Sequence, residues 1–165
     1  MTLTAAVFTI SDSSHAGTRA DVSGPAVRKR LEELGWVVTI EIMPDDAAWI
    51  SRRLAEVADE GETAAIFTTG GTGIATRDVT PEATRAVIER EIPGLSEWMR
   101  MNGRTSTAKS ILSRGVSGSR GRTLIVNLPG SPRGAVESLD AIMDVVPHAV
   151  DLLNGKTEHA VDPKL

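Results

Sequence analysis

The chain contains no cysteine, which removes disulfides, thiolate metal sites and a cysteine nucleophile from consideration. Aromatic residues amount to 3%, so Phe8, Phe67 and the three tryptophans are too few for a base-stacking platform. Nor is positive charge in excess: 18 basic and 22 acidic residues are mixed along the chain for a net charge of -4, which leaves no basic stripe for DNA or RNA. Long apolar runs are missing as well. The opening MTLTAAVFTISDS has no basic leader, and its apolar stretch is too short for a signal-peptide core or a membrane span. The expected location is therefore the cytoplasm. Low-complexity tracts and internal repeats are absent too, because the 15 glycines and 8 prolines are scattered among apolar runs.

What is present suffices for one core. A length of 165 residues with 41% hydrophobic content predicts a single domain over residues 1–154 and a short polar tail, 155–165, expected to fray. An apolar, β-branched run over 5–10 predicts a buried strand that stops at Ser11 and Asp12, with 13–23 as a loop. Gly24-Pro25 opens a helical pattern through Val27, Leu31 and Leu34, closed by Gly35. After a strand over 36–42, Pro44, Asp45 and Asp46 start a second helix whose apolar face is Ile50, Leu54, Val57 and Ala58, with Asp45 suited to capping it. A third buried strand, 64–69, runs into Gly70, Gly71, Thr72 and Gly73. Thr80-Pro81 marks another helix start, continuing to about Arg90, and Pro93 begins the next. Residues 102–117 read as irregular. A strand over 123–128 is followed by the turn Pro129, Gly130, Ser131, Pro132 and one helix reaching about Leu153.

Strands alternating with helices predict an α/β fold, a three-layer sandwich with a mostly parallel central sheet flanked by helices. Ligands bind beyond the carboxyl ends of such strands. Three loops are accordingly expected on one rim: Ser11-Asp12, the Gly70 to Gly73 loop, and the turn from Asn127 to Ser131.

The glycine loop is the strongest local signal, since glycines after a buried strand let backbone N–H groups approach a phosphate. An ordinary tight turn is the equal alternative. The loop is neither a Walker motif nor a dinucleotide GxGxxG. Asp78, five residues beyond it, reads either as a carboxylate that shares a magnesium ion with phosphate oxygens or as a capping aspartate. Asp45 and Asp46 carry the same two readings. Ser11 and Asp12 read as a local turn or as hydrogen-bonding groups for a polar heterocycle. Arg77, Arg114, Arg120, Arg122 and Arg133 fall in or near loops and could pair with phosphates, although solvated surface roles are the commoner case. His15, His148 and His159 lack metal-ligand spacing and are given no catalytic role.

The run TTGGTGIATRDVTPEAT, residues 68–84, closely resembles the signature of the MogA/MoaB family of molybdopterin-binding proteins, which includes the G domain of gephyrin. The resemblance continues through SDS at 11–13, DVSGP at 21–25, MPDD at 43–46, IPGL at 92–95, ILSRGVSG at 111–118 and LIVNLPGSP at 124–132. It implies transfer of AMP from ATP to the phosphate of molybdopterin, with pyrophosphate released and Mg2+ as the metal. Motif by motif, Asp45 and Asp78 match the family's two essential aspartates and are the implied catalytic and metal-holding residues. The implied substrate contacts are Ser11, Asp12, Gly70, Gly71, Thr72, Gly73, Asn127, Pro129, Gly130 and Ser131. A homotrimer or hexamer and a transient contact with a MoeA-type molybdenum insertase are implied as partners. Gly103 departs from the serine of several relatives, and Thr105, Ser106, Thr107 or Ser110 could compensate. The alternative within the family is a MoaB-like protein that binds molybdopterin without adenylylating it; the presence of both aspartates favours catalysis.

Overall fold

The computed structural model describes residues 2–156. In chain order the elements are β1 (Thr4–Ile10), α1 (Asp12–His15), α2 (Ser23–Glu33), β2 (Val37–Met43), α3 (Ala47–Glu60), β3 (Ala65–Thr69), α4 (Thr80–Arg85), β4 (Arg90–Glu91), α5 (Pro93–Gly103), a 3-10 turn (Ala108–Leu112), β5 (Ser117–Arg120), β6 (Thr123–Leu128), α6 (Pro132–Asp140) and α7 (Val146–Leu153). The tail expected over 155–165 falls largely on 157–165, outside the described residues, as does His159.

The strands form one sheet in the order β2-β1-β3-β6-β5-β4. The first four run parallel, while β5 and β4 pair antiparallel at one edge. Alternation along the strands divides the core into two. Val7, Phe67 and Val126 face one layer with Val27 and Leu31 of α2 and Leu139 of α6, whereas Phe8, Ile66 and Ile125 face the other with Ile50 and Leu54 of α3. The three-layer sandwich expected from the sequence is the observed architecture. No helix among the described residues is long and apolar enough to cross a membrane.

Four expectations are corrected. The cap of α3 is Asp46, whose carboxylate accepts from the Trp49 N–H at 2.8 Å, which leaves Asp45 free of that duty. The helix from Thr80 stops at Arg85, because the following residues are captured by the sheet edge: the N–H groups of Glu89 and Ile92 donate to the carbonyls of Ser119 and Ser117 at 2.8 and 2.7 Å. The stretch read as irregular holds the 3-10 turn Ala108–Leu112, and at its end Ser117 opens strand β5, whose small residues carry no apolar alternation and are buried because β6 pairs with them. The last helix is two helices, since Pro147 stands in the first turn of α7 and can neither donate a helical hydrogen bond nor clear the preceding turn.

Chain order and strand order together create a crevice. From β1 the chain moves outward to β2 through α2 on one face, and from β2 it returns through α3 on the other face to β3, on the far side of β1. The carboxyl ends of β1 and β3 thus lie at a topological switch point, where doubly wound sheets hold ligands.

Candidate active site on the carboxyl rim

At the end of β3 the chain takes two successive left-handed steps, Gly70 at φ 101° and Gly71 at φ 67°. Only glycine fits. A Cβ at Gly70 would overlap the Ile10 carbonyl oxygen, and one at Gly71 would overlap the Thr80 hydroxyl and stand 3.2 Å from Asp45 Oδ1. The loop is pinned to α4, whose Thr80 donates its hydroxyl to the Gly70 carbonyl at 3.0 Å and its N–H to the Gly71 carbonyl at 3.1 Å. Gly70 also lies against Gly130 on the neighbouring β6 turn. The sequence motif therefore encodes a tight turn whose backbone is partly accessible at Gly71 and Gly73.

Asp45 and Asp12 brace the ends of β2 and β1 reciprocally: the Asp12 N–H donates to Asp45 Oδ2 and the Asp45 N–H to Asp12 Oδ1, each at 3.0 Å. The other Asp12 oxygen accepts from Arg77. Asp78 Oδ2 accepts from the Ala75 N–H at 2.9 Å and stands 2.7 Å from where a Cβ of Gly73 would be. The helix α4 that follows has no side-chain cap, so Asp78 does not serve there. Asp45 and Asp78 thus flank the same loop two residues apart, at Gly71 and Gly73. Burial is the main cause that raises the Asp45 pKa, and the negative charges of Asp12 and Asp78 add to it. For Asp12 the Asp45 N–H and then Arg77 lower it.

Asp45 Oδ1 and Asp78 Oδ1 make no hydrogen bond among the described residues. No group of three or more His, Cys, Asp or Glu there could cage a metal unaided. Two hard carboxylate oxygens flanking one loop fit Mg2+, which keeps waters and substrate oxygens in its shell.

Two cavities open on this rim. The larger, about 460 Å³, lies beside Gly71, Thr72, Gly73 and Asp78 and has Ile74, Met99 and Leu112 as well as Ser96, Ser110 and Ser113 along its walls. The smaller, about 410 Å³, occupies the switch point, between Ser11, Ser14 and Arg19 on one side and Gly70 on the other. Gly130 and Ser131 border both. Ser131 caps α6 by accepting from the Gly134 N–H at 3.1 Å. Asn127 reaches the larger cavity's wall, but its side chain is spent on the protein: it donates to the Thr68 and Thr84 hydroxyls at 3.0 and 2.9 Å and accepts from the Val116 N–H at 3.1 Å. Pro129 supplies its carbonyl to the Thr69 hydroxyl at 2.7 Å.

Ser96 and Ser113 were not singled out from the sequence, whereas Thr107 and Ser110, two of the four candidates to offset Gly103, line the larger cavity. A Cβ on Gly103 would lie 2.8 Å from the Ser110 Cβ, so Ser110 fills the space beside Gly103, and its hydroxyl donates to the Arg100 carbonyl at 3.0 Å. The arginines mostly serve the fold. Arg120 pairs with Asp59, Arg133 with Glu137, and Arg114 with Glu82 and loop carbonyls. His15 packs edge-on against Trp49 at 5.3 Å.

Comparison with known proteins bears on this geometry. Residues 6–148 match the family model described as "Probable molybdopterin binding domain". A molybdopterin adenylyltransferase of Helicobacter pylori is 39% identical over 152 residues, covering 90% of this chain and 86% of that protein. The Drosophila melanogaster molybdenum cofactor synthesis protein cinnamon is 42% identical over 153 residues, 92% of this chain, although the chain spans only 26% of that longer protein. Among solved structures, the molybdopterin biosynthesis enzyme MoaB from Thermus thermophilus superposes with a TM-score of 0.87 at 47% identity, covering 93% of this chain and 97% of that one.

Proposed function

Since the chain belongs to the molybdopterin-binding domain family, we propose that it is a molybdopterin adenylyltransferase acting in molybdenum cofactor biosynthesis, with ATP as the AMP donor. The observation that carries this reading is the convergence of Asp45 and Asp78 on one backbone-lined glycine loop between two cavities. Two cavities suit two substrates. The switch-point cavity suits the nucleotide, as in other doubly wound sheets, and the larger cavity, mainly apolar with a few polar side chains, suits the pterin. Gly130 and Ser131, which border both, mark where the phosphates meet.

In the reaction a phosphate oxygen of molybdopterin forms a bond to the α-phosphorus of ATP, the α–β phosphoanhydride bond breaks, and pyrophosphate departs. The attacking phosphate is already ionised at neutral pH, which accounts for a site without a histidine base. The protein's task is positioning and charge compensation. Backbone N–H groups of the glycine loop face the phosphates, and Asp45 and Asp78 are the residues that would hold Mg2+. When bound, the ion neutralises phosphate charge. The reading assigns the reaction to the cytoplasm and the active form to a homotrimer. A sedimentation mass near three times 17.5 kDa supports the trimer, and a monomer mass removes it.

Incubation of the purified chain with molybdopterin, ATP and Mg2+ is expected to yield adenylylated pterin and pyrophosphate. Binding of the pterin without product would replace this reading with that of a passive carrier. Asp45→Asn and Asp78→Asn are each expected to lower turnover about 100- to 1000-fold, the scale of losing one strong electrostatic contributor. Their folds should remain intact by circular dichroism.

A further inference from the structure

The segment 73–78 that carries Asp78 has little packing of its own; Ile74 within it is 72% exposed. Its shape must therefore come from hydrogen bonds, and one side chain supplies several of them. Arg114 stands in the chain between Ser113 and Gly115, which line the larger cavity. Its N–H donates to the Thr72 carbonyl at 2.8 Å, its Nε to the Gly73 carbonyl at 2.7 Å and its Nη2 to the Asp78 carbonyl at 2.8 Å. Its Nη1 is held by the Glu82 carboxylate on α4. A planar guanidinium with donors in a fixed fork can bridge both ends of such a loop, which an ammonium cannot do. Four of its five N–H groups are taken by the two carbonyls and by Glu82, so its first task is to hold the loop.

We infer that Arg114 is a positioning residue for the transfer reaction: it clamps the carbonyls of Gly73 and Asp78 and so holds the Asp78 carboxylate at the distance from Asp45 that the reaction requires. This rests on the adenylyltransferase reading. Misplacing a reacting or metal-holding group by about 1 Å costs on the order of 100-fold, and loss of a group that orients a metal ligand costs about 10- to 100-fold.

The test combines two measurements on Arg114→Ala, Arg114→Lys and Glu82→Gln. The first is backbone hydrogen exchange across 72–79 in the substrate-free protein. The second is kcat and KM for ATP and molybdopterin as Mg2+ is varied. Arg114→Ala is expected to speed exchange in that segment about tenfold or more, lower kcat about 10- to 100-fold and raise the Mg2+ needed for half-maximal rate, with little change in KM for molybdopterin. Arg114→Lys, with one point donor, and Glu82→Gln, with one anchor weakened, should fall between Ala and wild type; they carry the test if the Ala variant does not fold. Exchange and kcat at wild-type values in all three would overturn the inference. So would a loss confined to KM for ATP, which would mean direct phosphate contact. A wild-type chain that forms no adenylylated pterin instead overturns the functional reading itself.

Discussion

The Asp45 carboxyl group sits half-buried between the Asp12 amide and Gly71, with the charges of Asp12 and Asp78 nearby. A carboxyl group whose pKa is raised on folding binds its proton more tightly in the native chain than in the unfolded one. Its ionisation therefore costs stability as pH rises through the raised value, and the cost is fully present above it. Asp45→Asn is expected to raise Tm at pH 7 while removing activity. A lower Tm would show that the brace to Asp12 matters more than the charge. Asp12 shifts the other way, so its stabilising contribution is present at neutral pH and is lost as pH falls through its depressed pKa. Protons compete with Mg2+ for Asp45, so activity should fall on the acid side. Asp12→Asn removes one like charge yet keeps an oxygen for the Asp45 amide. Its pH–rate profile should have the acid limb moved to lower pH; an unmoved limb would disconnect Asp45 from it.

Elements meet at Asn127, which closes β6 while joining β3, α4 and the approach to β5 through three buried hydrogen bonds. Removing that amide strands buried partners, each costing about 1 to 3 kcal/mol. Asn127→Ala is expected to destabilise by about 3 kcal/mol in urea unfolding, and a loss below about 1 kcal/mol would show that water replaces the amide. The shortened α4 and the strand β5 belong to the same scale. Neither follows from local pattern, because their residues answer hydrogen bonds offered by distant chain: Glu89 and Ile92 donate to β5, and Ser117, Gly118 and Ser119 are buried by pairing with β6 instead of by their own polarity. Pro147 was a local signal for the break before α7; the apolar periodicity running across it obscured the stop.

For the molecule as a whole, the two cavities on either side of the Gly70–Gly130 contact make the substrates separable. Of these two, Ser113 lines the larger and Ser14 the smaller. Ser113→Trp is expected to raise KM for molybdopterin by about tenfold or more, and Ser14→Trp to do the same for ATP, each corresponding to at least about 1.4 kcal/mol of lost binding. Steady-state kinetics with each substrate varied would check this. The reverse pattern would exchange the cavity assignments.

The sequence alone determined the layered α/β architecture, the rim on which the three loops gather and the residues of the glycine turn, because hydrophobic period, glycine and proline placement act locally and each constrains its own few residues. Only the tertiary structure decided which of the adjacent aspartates caps α3 and which turns to the site, that Asp45 and Asp78 flank one loop, that Asn127 is a brace, that Ser110 fills the space beside Gly103 and that Arg114 clamps the Asp78 segment. Apart from the Asp46 cap itself, each of those depends on a partner 7 to 59 residues away in the chain, and the distance between such partners is set by how the sheet orders its strands, which no local pattern records.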